Sequence, residues 1–109
     1  MSEATYFVQF REQDGEPSLR WHTIACVHDR ELADEIAQLA ESAYFRVTVD
    51  PHYVGRAISR SALRREGALQ HAEWELGMGR HREYGDGLRA RAELNLRRRA
   101  AEPAPSTAP

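Results

Sequence analysis

The sequence predicts a small α+β domain: a largely antiparallel sheet packed by one amphipathic helix. Three observations predict it. Two aromatic and β-branched segments stand near the N-terminus with a Gly/Pro-containing stretch between them. A single helix follows whose apolar and charged residues separate cleanly at a 3.6-residue period. A second pair of helix-forming segments and a proline-rich tail complete the chain.

The first strand is expected over residues 5–11, Thr-Tyr-Phe-Val-Gln-Phe-Arg, with Tyr6, Val8 and Phe10 on one face. Asp14-Gly15 and Pro17 signal a turn. Residues 19–27 read as the second strand, joined to the first as a hairpin. Asp29 is placed to cap a helix, because its carboxylate can accept a first-turn amide. Along that helix Leu32, Ala33, Ile36, Ala37, Leu39, Ala40 and Ala43 share one arc. Arg30, Glu31, Asp34, Glu35, Gln38, Glu41 and Ser42 share the other, which is expected to be a solvated acidic face. Ile36 and Leu39 are the expected core centre. The helix is expected to end near Ser42. Phe45, Val47 and Val49 then alternate with polar residues as a third strand, broken at Asp50-Pro51. Tyr53, Val54 and Ile58 suggest a short further strand. The expected order is β-β-α-β with a possible fourth strand.

The domain layout follows: a ββαβ core over residues 1–60, a helical extension over 61–101 and a disordered tail over 102–109. Ser59 or Ser61 can cap a second helix over 62–76, with Gly67 inside it. Ala62, Leu69, Ala72 and Leu76 form one stripe on it, Leu63 and Trp74 another. Gly77-Met78-Gly79 is expected to end it through a left-handed glycine. Arg80 to Asp86 reads as a polar connector. Residues 88–101 read as a third, weakly amphipathic helix with Leu88, Ala92 and Leu96 in line. The tail carries Pro103, Pro105 and Pro109.

Charge is unevenly divided. All 15 basic residues are arginine, which GC-rich coding explains most simply. Size and composition fit a small accessory protein of a high-GC bacterium or its mobile elements. Residues 1–55 hold four arginines against ten acids, and residues 56–109 hold eleven against seven. No apolar run is long enough to span a bilayer. The N-terminal residues lack a basic and apolar leader pattern, and the single Cys26 excludes an internal disulfide, so a reducing, cytoplasmic setting is expected.

Few catalytic patterns survive inspection. His71-Ala72-Glu73 matches half of the zinc deaminase pattern, but the Pro-Cys-x-x-Cys half is missing. His22, His28, His52, His71 and His81 form no i, i+4 histidine pair or close cluster, so surface or rim histidines are expected and no metal site. No Gly-x-Ser-x-Gly elbow or phosphate loop occurs. Cys26 lies in an apolar strand, where a thiol is inert. The sequence therefore predicts no catalytic residues, no metal and no cofactor.

Two binding features remain. Leu63, Leu69, Trp74 and Leu76 are candidate anchors for self-association or a partner protein, because aromatic side chains and arginine are enriched in interface cores. Arg64, Arg65, Arg97, Arg98 and Arg99 are candidate phosphate contacts for weak nucleic-acid binding. The sequence pI near 6.2 and the interleaved acids weigh against the latter. The leading expectation is a non-catalytic interaction or oligomerisation module. The alternative is a weak nucleic-acid-binding accessory protein.

Overall fold

A computed structural model describes residues 4–12, 21–47 and 53–102. The expected turn at Asp14-Gly15, the Asp50-Pro51 break and the proline-rich tail from Pro103 lie outside the described residues. The elements are β1 (Tyr6–Glu12), β2 (His22–Val27), α1 (Arg30–Val47), β3 (Tyr53–Ser59), α2 (Arg60–Glu66), α3 (Leu69–Leu76) and α4 (Gly79–Ala101). The sheet is antiparallel in the order β2-β1-β3. The α+β class and the β-β-α-β start are as the sequence predicts.

The central strand β1 alternates, so the sheet buries both faces. Val8 and Phe10 join Ile24, Val27, Leu32, Ala33, Ile36 and Ala40 in the main core under α1. Phe7 points the other way and packs with Leu63 and Ala72, which α2 and α3 bring over the opposite face. The helical extension thus folds back on its own sheet. Leu88 and Ala92 of α4 add to the main core beside α1. No helix among the described residues is long and apolar enough to cross a membrane.

Capping follows the local chemistry. Asp29 Oδ1 accepts the Glu31 amide at 2.9 Å, and Ser59 Oγ accepts the Ala62 amide at 3.2 Å. Gly67 has φ 75° and ends α2. Its amide bonds the Arg64 carbonyl, and the Ala68 amide bonds the Leu63 carbonyl, both at 3.0 Å. That pair of bonds is a Schellman motif, which a residue without Cβ adopts cheaply.

Four expectations need correction. The predicted third strand begins too early: residues 45–47 belong to α1, and the third strand is β3 at Tyr53–Ser59. Positions 36, 40, 43 and 47 continue the helical period, and five alternating residues cannot be told from it. The single helix predicted over 62–76 is two helices, because Gly67 stops the first. Gly77 ends α3 with φ −79°, so the left-handed turn sits at Gly67 and not there. Residues 80–86 are helical, not a connector, and α4 runs for 23 residues. Its glycines lower helix propensity, but Gly85 is a packing residue. It brings α4 so close to β2 that a Cβ there would overlap the Ile24 carbonyl oxygen.

Ile24 is the extra residue of a β-bulge. Val8 pairs with Ala25, and Gln9 pairs with Thr23. A bulge frees backbone groups from the ladder. Here they meet helices: the Ile24 carbonyl faces Gly85, and the Thr23 amide is bonded by Glu75 of α3.

Candidate functional site

Helical spacing on α3 divides its side chains between two tasks. Leu69, Ala72 and Leu76 pack toward Phe7 and Cys26, and Glu75 is buried with them at 3 % exposure. Trp74 projects to the other side and is 63 % exposed. A buried carboxylate is costly unless its lone pairs are taken up, and polar groups from three elements gather around Glu75. The Thr23 amide donates to Oε1 at 3.1 Å. His71 Nε2, one helical turn earlier, lies 3.4 Å from the same oxygen. His22 Nδ1 lies 3.2 Å from Oε2. His81 Nδ1, from the first turn of α4, lies 3.7 Å from Oε2.

The chain arranges this through three elements. His22 opens β2 beside the bulge. Glu75 stands near the end of α3. The turn through Gly77, with the Met78 amide bonded to the Glu75 carbonyl at 3.0 Å, returns the chain so that His81 faces Glu75. The rings of His22 and His81 meet edge-on at 5.9 Å, and Phe10 closes one side of His22 at 5.5 Å. A carboxylate only accepts, so in this state His22 Nδ1 carries the proton it shares with Glu75. His81 Nδ1 is shielded from solvent and makes no hydrogen bond.

A second network starts from the same threonine. Gln9 Nε2 donates to Thr23 Oγ1, and Arg56 Nε donates to Gln9 Oε1, both at 2.9 Å. Arg56 Nη2 then reaches Glu66 at 3.2 Å. The Arg56 guanidinium lies 4.3 Å from the Trp21 ring centroid, and that of Arg11 lies 4.9 Å from it. Gln9, Trp21, Arg56, Glu66 and His71 line a recess of about 420 Å³. His71 also meets Trp74 at 5.6 Å between ring centroids. His71 therefore joins the buried carboxylate, the recess and the exposed indole.

The predicted anchors separate. Leu63 is fully buried within the chain, and Leu69 and Leu76 are half-buried against the same cluster. Trp74 alone of the four is exposed. Arg64, Arg65, Arg97 and Arg98 are exposed. Arg99 is exposed as well, and its guanidinium pairs with the buried Glu35 at 2.7 Å.

The acidic helix face is also corrected. Glu31 and Asp34 are exposed, but Glu35 is buried at 6 %, bonded by Asn95 and Arg99 of α4. Glu41 is half-buried and accepts the Gly55 amide at 2.7 Å. The helix α4 and strand β3 cover two acids that α1 alone would leave in water.

His22, His71 and His81 are part-exposed, as rim residues are, but their clustering is not foreseen in the sequence. His22, His71 and His81 converge on one carboxylate, His28 is exposed, and His52 lies outside the described residues. One clue was local: His71 and Glu75 form an i, i+4 pair. The rest required the fold. Ser59 acts as a helix cap. Burial pushes the Cys26 thiol above its ordinary range; Arg60 pulls the other way, Glu73 adds to the rise and Arg89 opposes it. A thiol so placed is a poor nucleophile at neutral pH.

No protein-family model matches the chain, and no characterised protein or solved structure is similar enough to stand as a relative.

Proposed function

We propose that the chain is a non-catalytic interaction module that associates with a second copy of itself across the outer side of α3. The observation that carries this is the exposure of Trp74 on a helix whose inner side is fully engaged. The buried Glu75 and the apolar residues Leu69, Ala72 and Leu76 hold α3 in place, so the indole is presented on a fixed support. Tryptophan and arginine dominate the energetics of protein interfaces. His71 flanks the indole, its ring centroid 5.6 Å from that of Trp74. A twofold contact would set the same patch against itself, which is the commonest geometry of self-association.

The magnitude sets the scale of the test. Covering two such indoles contributes on the order of 6 kcal/mol before the entropic cost of association. The dimer is therefore expected to be weak, and the measurement must reach high micromolar concentration. Sedimentation equilibrium of the intact chain should show a monomer–dimer equilibrium that is nearly insensitive to salt. Trp74→Ala removes both indoles and should weaken it by at least about thirtyfold, a loss of roughly 2 kcal/mol or more. A monomer at every concentration overturns the proposal. Binding to duplex DNA that falls steeply with salt, and that is lost when Arg64, Arg65, Arg97 and Arg98 are neutralised, would point to the arginines instead.

A further inference from the structure

We propose that His22, Glu75 and His81 form a binding site for a divalent transition-metal ion of the zinc class. The inference stands apart from the self-association of α3 and rests on the geometry around Glu75.

The donor set comes from three elements: two imidazoles and one carboxylate, with ligand atoms all within 4.8 Å of one another. Two nitrogens and one oxygen on a tetrahedral ion, at bond lengths near 2.1 Å, stand about 3.4 Å apart. Glu75 Oε2 lies 3.2 Å from His22 Nδ1 and 3.7 Å from His81 Nδ1, which brackets that spacing. The third edge, between the two imidazoles, lies within 4.8 Å.

The two carboxylate oxygens are already divided in the way a metal ligand requires. Oε1 is held by the Thr23 amide and by His71. Oε2 is left to face the two Nδ1 atoms. Partners of this kind fix the orientation of a ligating carboxylate and are part of the design of protein metal sites. Thr23 is itself fixed through Gln9 and Arg56, so the support extends across the sheet.

The His81 nitrogen supplies the independent observation. A solvent-shielded imidazole nitrogen without a hydrogen bond is an exception that calls for a partner. At 3.7 Å it is too far from Oε2 to bond directly. An ion between them gives it a partner and neutralises the buried carboxylate. The remaining coordination position would take water or His71 after a rotamer change.

The test uses the untagged full chain, stripped with a chelator and titrated with zinc against a chromophoric competitor. The expected result is saturation at one ion per chain with Kd at or below about 1 µM. His81→Ala and His22→Ala should each weaken it by roughly tenfold to a hundredfold, while His28→Ala should leave it unchanged. Zinc at a hundredfold excess over Kd should raise the unfolding midpoint by on the order of 10 °C. If a histidine variant fails to fold, the wild-type imidazole ¹⁵N spectrum decides. The Nδ1 resonances of His22 and His81 should move on adding zinc, and those of His28 should not. No saturable binding up to about 100 µM zinc, unmoved His22 and His81 resonances, or full affinity in folded His81→Ala would each overturn the site.

Discussion

Gly85→Ala is expected to destabilise the protein by about 3 kcal/mol or more, the largest effect of any single methyl group. The added Cβ would overlap the Ile24 carbonyl oxygen and press on its carbon at 2.7 Å. Both obstructing atoms are backbone, so no rotamer change relieves the clash. Either α4 lifts from β2 or the bulge moves. Lifting α4 would expose Leu88 and Ala92 and pull Asn95 and Arg99 from the buried Glu35. Gly87→Ala is the matching control. Nothing lies within 4 Å of a Cβ there, so the change should stabilise the helix by up to about 1 kcal/mol. Urea unfolding of the two variants should move in opposite directions. Equal midpoints would show that α4 does not seat on the bulge.

Ile36→Ala is expected to cost about 2–4 kcal/mol. Ile36 has no exposed surface and stands at the middle of α1, facing the sheet residues Val8, Phe10 and Ile24 across the main core. The loss combines the transfer energy of the removed carbons with the cavity that remains, since packed neighbours collapse only in part. Unfolding free energies from denaturant titration measure it directly. A loss below about 0.5 kcal/mol would mean that another side of α1 meets the sheet.

These two positions differ in how readable they are from the chain. Ile36 is legible because seven apolar residues of α1 repeat at the helical period with charges opposite them. Gly85 is not, because a glycine beside Asp86-Gly87 has the composition of a loop. Its role appears only when β2, 60 residues earlier, presents a bulge to it. The end of α1 is hidden for a related reason: Phe45, Val47 and Val49 alternate, but a run of that length satisfies either period. In the sequence Gly67 is only a residue of low helix propensity inside one apolar pattern. Its Schellman bonds instead end α2, and both α2 and α3 contribute residues packed with Phe7.

The site was less legible than the fold. His22 and Glu75 are 53 residues apart, and nothing local marks them as partners. Glu35 reads as a solvated acid on α1 until Asn95 and Arg99 return to cover it. Trp74 and Leu63 share a stripe in the sequence, yet one is exposed and the other fully buried. The break at Gly67 puts them on different helices, so a shared stripe no longer means a shared face. Helical periodicity predicts neighbours within one helix only, and the features that matter here are made between elements.

The proposed self-association depends on the orientation of α3, with Glu75 turned inward and Trp74 outward. The most direct measurement is quenching of Trp74 fluorescence by a neutral quencher in Trp21→Phe, where Trp74 is the only tryptophan. In dilute solution the indole should be readily quenched, as its 63 % exposure requires. At high micromolar concentration it should become protected as copies pair. An indole shielded even in dilute solution would contradict the placement of α3, and equal quenching at every concentration would contradict the self-association built on it.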